Sequence, residues 1–74
     1  MTTANSNGNQ KASSELTFIK STYRMHVYEE VHTGTDKPIK HDDPLRHFGV
    51  IYISKTAFSG QAPARLRLTA EVID

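Results

Sequence analysis

Residues 64–73 read ARLRLTAEVI, with Leu66, Leu68, Ala70 and Val72 in one row and Arg65, Arg67, Thr69 and Glu71 in the other. Successive side chains of an extended strand point to opposite faces, so this alternation predicts a strand with one buried and one solvated face. Gly60 and Pro63 in the preceding stretch TAFSGQAP, residues 56–63, place a turn before it. Further upstream, residues 48–55 read FGVIYISK, with five large apolar side chains in eight. A run so apolar suits the centre of a sheet or a strand within a subunit interface. Gly49 inside it reads as a bulge or a point of close backbone approach.

Residues 16–31, LTFIKSTYRMHVYEEV, are dense in β-branched and aromatic types. Ile19, Tyr23, Met25, Val27 and Val31 form an apolar row; Lys20, Thr22, Arg24, His26 and Glu30 form a polar one. This period predicts one long strand, bulged or bent near Ser21 or Glu29. Between the apolar stretches, residues 32–47 read HTGTDKPIKHDDPLRH and contain Gly34, Pro38 and Pro44. They predict a long loop, pinned to the core by Ile39 and Leu45, with Asp42, Asp43 and Pro44 opening a short turn. Residues 1–14, MTTANSNGNQKASS, have no large apolar side chain after Met1. Ordering them returns too little burial to offset the entropy lost, so a disordered tail is expected, leaving 15–74 as one small β domain.

With 74 residues, 36% of them apolar, the chain has material for a single small core. A domain of roughly 60 residues buries only about 60% of its unfolded surface and usually needs reinforcement. Cysteine is absent, which excludes disulfides, thiolate metal sites and a cysteine nucleophile. The expected fold is all-β: a small three- to four-stranded antiparallel sheet, or a partial barrel curling around Met25, Ile51, Ile53, Leu66 and Leu68. No helix is expected to cover its apolar face, so dimerisation is expected to complete it, with a monomeric small barrel as the alternative. No apolar run approaches the roughly 18 residues of a membrane helix, and no secretory-type apolar region follows the start. The expectation is a cytoplasmic protein without membrane contact.

Chemistry is sparse. His26, His32, His41 and His47 stand no nearer than six positions apart, unlike the close ligand pairs of zinc sites, and no calcium-loop pattern occurs. No metal and no cofactor are expected. Ser21, Ser54 and Ser59 lack a nucleophile elbow. Glu29 and Glu30, as strand neighbours, point to opposite faces and cannot act as a catalytic pair. No enzyme activity is expected. If Ile51 and Ile53 face the core, the opposite face gathers Lys20, Arg24, His26, Phe48, Tyr52, Arg65 and Arg67. Aromatic and basic side chains so interleaved form a binding surface either for a protein or for single-stranded nucleic acid. The formal net charge of +1 is far from the excess typical of nucleic-acid binders, so a protein partner or self-association is the first reading and small DNA or RNA binding the second.

Overall fold

A computed structural model describes residues 10–73 of the chain. Its strands are β1 (Lys11–Ser21), β2 (Met25–Val31), β3 (Val50–Ser54) and β4 (Arg65–Glu71), with one 3₁₀ turn at Lys55–Ala57. They form a single four-stranded sheet in the order β3-β2-β1-β4, every neighbouring pair antiparallel. The protein is all-β, and the sheet curls into a half-barrel. Among the described residues, no helix is long and apolar enough to cross a membrane.

The single long strand expected over residues 16–31 is instead a hairpin, β1 turning into β2. Its tip, Tyr23 and Arg24, contains none of the Gly, Asn or Asp that usually mark two-residue turns. Thr22 closes the turn: its N–H donates to the Met25 carbonyl at 2.8 Å, and its hydroxyl accepts from the Met25 N–H at 3.2 Å. A bulge at Ile19 shifts the register from Phe18 opposite Tyr28 to Lys20 opposite Val27. The extra residue sends Lys20 to the face away from Phe18.

This shift decides what faces inward. Cross-strand partners share a face, so Leu16, Phe18, His26, Tyr28, Ile51, Ile53, Leu66 and Leu68 line one side. Met25, expected among them, lies on the opposite side with Val27 and Val31; Leu16 and Tyr28 are the buried centre in its place. Central β2 is buried on both faces, with Val27, Tyr28 and Val31 all inaccessible to solvent. Burial of each such apolar side chain contributes about 1.5–3 kcal/mol.

β1 begins at Lys11, inside the segment expected to be a tail. Lys11 pairs with Glu71, Ala12 with Ala70, Ser13 with Thr69 and Ser14 with Leu68. Backbone pairing, which needs no large side chains, orders this part; residues 1–9 of the expected tail lie outside the described residues. The long loop is anchored by Ile39, which is buried and donates its N–H to the Glu30 carbonyl at 3.1 Å. Leu45 does not help to pin it, being 59% exposed. Asp43 does open a turn, its carboxylate accepting from the Leu45 N–H at 2.9 Å. Residues 56–63 fold back so that the Tyr28 hydroxyl donates to the Pro63 carbonyl at 2.8 Å.

Candidate functional site

The face away from Ile51 and Ile53 carries Lys20, Val50, Tyr52, Arg65 and Arg67, as the register requires. Lys20 and Tyr52 flank Val27 across two ladders, and both are exposed. On β3, Val50 is 43% and Tyr52 58% exposed, a large apolar area for an edge strand.

Arg65 and Arg67 share this face but are already engaged. Glu15 accepts from Arg65 at 2.8 Å and from Arg67 at 3.1 Å, and Arg65 also reaches Asp36 at 2.6 Å. The Gly34 N–H donates to the same Glu15 carboxylate at 3.0 Å, tying the loop to the sheet. Gly34 first, then Arg65 and Arg67, hold the Glu15 carboxyl down at about 2 against an ordinary 4.5. These arginines are part of an internal charge network.

Three expected site residues lie elsewhere. His26 is on the inner face, buried, with Nδ1 2.8 Å from the Ser21 hydroxyl and its ring edge-on to Phe18. Phe48 precedes β3 in the loop, its ring edge-on to His47. Arg24 sits at the hairpin tip, its guanidinium carbon 5.5 Å from the Tyr23 ring centroid. Tyr23 is 87% exposed, and beside it runs an open groove lined also by Arg24, Ser54, Lys55 and Thr56.

Sequence reasoning missed Glu30. Its carboxylate is fully buried and accepts from three successive backbone N–H groups: His47 at 3.0 Å, Phe48 at 2.8 Å and Gly49 at 2.9 Å. Burial, the largest single influence, works to raise its pKa. Donation from Gly49, the Ser14 hydroxyl, Phe48 and His47 together outweighs it and holds the carboxyl at about 2. Gly49 permits the clamp: its φ is +75°, and a Cβ there would lie 3.0 Å from the Arg46 guanidinium. The signal lay in parity. Once Tyr28 points inward, Glu30, two residues on, must follow, and a buried carboxylate requires donors. The clamp also starts β3 at Val50 rather than at residue 48.

Comparison with family models, curated proteins and solved structures found no match.

Proposed function

We propose that this chain is a non-catalytic β-sheet module acting through protein–protein contacts, as a homodimer or as a small regulatory or accessory subunit. The observation that carries this reading is the β3 edge. Hydrogen bonds from Glu30 to Gly49 and from Lys55 to Arg24 fix the ladder phase, so Val50, Tyr52 and Ser54 turn their backbone groups away from β2. An added strand would find there N–H and C=O groups that no described strand meets, with Val50 and Tyr52 beside them to set specificity. Tyrosine is enriched at the centre of such interfaces.

Replacing Val50 with Thr and Tyr52 with Ser tests this. Capture of a protein partner from the native cell extract should be lost, while the urea midpoint moves little; capture at the wild-type level would refute the β3 surface. Single-stranded nucleic acid is the second reading, favoured by exposed Tyr23 beside Arg24 and Lys55 in one groove. That reading predicts loss of capture after nuclease treatment and an oligonucleotide gel shift that weakens steeply with salt. Absence of any shift at low salt would eliminate it.

A further inference from the structure

We infer that β4 is a self-complementary edge through which two copies of this chain join antiparallel about a two-fold axis at Leu68. This deepens the protein-contact reading above by assigning self-association to the edge opposite β3.

The phase of the β1–β4 ladder is fixed at both ends. Val72 donates to the Gln10 carbonyl at 2.9 Å, and Phe18 donates to the Ala64 carbonyl at 3.0 Å. Even-numbered residues of β4 therefore bond to β1, and Arg65, Arg67, Thr69 and Glu71 turn their backbone N–H and C=O groups outward. Since β4 ends the sheet, no described strand meets them.

Laid antiparallel on itself with Leu68 opposite Leu68, the whole of β4 pairs. Arg65 then faces Glu71 of the second copy, twice by symmetry, and Arg67 faces Thr69. On the inner side, Leu66 faces Ala70. That small residue borders a hollow of about 300 Å³ lined also by Ala12 and Val72, so a large side chain meets a vacant recess. The neighbouring registers fit less well. One sets Arg67 against Arg67; the other matches Arg67 with Glu71 but pairs only residues 67–71 and carries Arg65 beyond the strand, opposite Ile73.

A second observation is independent of the charges. β2 stops pairing at Glu15 opposite Val31, so Lys11–Ser14 and the second half of β4 form a two-stranded ribbon beyond the body of the sheet. Such ribbons are marginal in water. In the proposed dimer, each ribbon lies against the half of the other copy's β4 that its own β1 and β2 support.

Light scattering of the full chain should give twice the 8.3 kDa monomer mass, and Thr69→Pro should return it to the monomer mass. The Thr69 N–H points outward, so proline there blocks edge pairing without removing a β1 bond, and an unchanged far-ultraviolet spectrum would show that the fold remains. Thr69→Ala controls for the lost hydroxyl contact to Ser13 at 2.9 Å and should stay dimeric. The chain has no cysteine, so Leu68→Cys offers a direct reading of register. Oxidation should link its copies as a disulfide, whereas Leu66→Cys and Thr69→Cys should link poorly. A monomeric wild type at all concentrations, a dimer untouched by Thr69→Pro, or preferential linking through Thr69→Cys would each overturn the inference. Capture of a partner through Tyr52 is measured separately and survives any of these outcomes.

Discussion

Glu30 shows how one side chain holds a loop in place. Its buried carboxylate gathers the N–H groups of His47, Phe48 and Gly49, the last of these bonds fully shielded from solvent. Removing it strands buried donors, each costing about 1–3 kcal/mol. Glu30→Ala is therefore expected to lower stability by about 3–5 kcal/mol, and Glu30→Gln by about 1.5–3 kcal/mol, since the amide keeps an acceptor but loses its charge. Urea denaturation measures both. The same group predicts acid sensitivity. A folded-state pKa of about 2 against an ordinary 4.5 means that the charged form is favoured by folding. Its contribution, about 3 kcal/mol, is complete above pH 4.5 and fades as pH falls toward 2. Glu15 is depressed in the same way and adds to the same acid limb. Stability measured from pH 6 to pH 2 should fall steeply in the wild type and less so in Glu30→Gln; an unchanged slope would remove Glu30 as its source.

At the scale of elements, alternation was legible where one face is buried and illegible where both are. β4 shows its rows in the text, and the structure places Leu66 and Leu68 inward as their spacing requires. β2 reads as MHVYEEV because both of its faces are covered, so its apolar row did not identify the core side. The hairpin between β1 and β2 was hidden for a different reason. Its turn rests on a threonine hydroxyl rather than on glycine, and the bulge at Ile19 reverses the row. Of the candidate surface, Lys20, Tyr52, Arg65 and Arg67 share a face as expected; His26 departs because the bulge and turn alter its phase. The acidic partners of the arginines come from β1 and the loop, distant in sequence, so their pairing could not be read locally. The returning segment 56–63 is tied to β2 by the hydrogen bond from Tyr28 to Pro63. Tyr28→Phe should cost about 1 kcal/mol and speed amide exchange near residues 60–64, while exchange in β2 changes little. Equal acceleration throughout would mean that the contact supports the whole sheet instead.

At the scale of the molecule, β1 is the spine, with β2 along one side and β4 along the other. The two pairings differ in kind. β1 and β2 meet through a tight hairpin, whereas β4 reaches β1 only after β2, β3 and both long loops have intervened. Closing the larger loop costs more chain entropy and slows folding. Leu66→Ala, which weakens the late β1–β4 contact next to Leu16, is therefore expected to speed unfolding much more than it slows folding, as stopped-flow urea jumps would record. A large drop in the folding rate would place β4 in the nucleus. The overhanging ribbon acquires a meaning in time as well as in space. During synthesis Lys11–Ser14 has no neighbour in β2 and waits for residues 68–71, which emerge after β2 and β3. Until then one whole side of β1 is an open template, and the nascent protein stays exposed to mispairing until β4 has emerged.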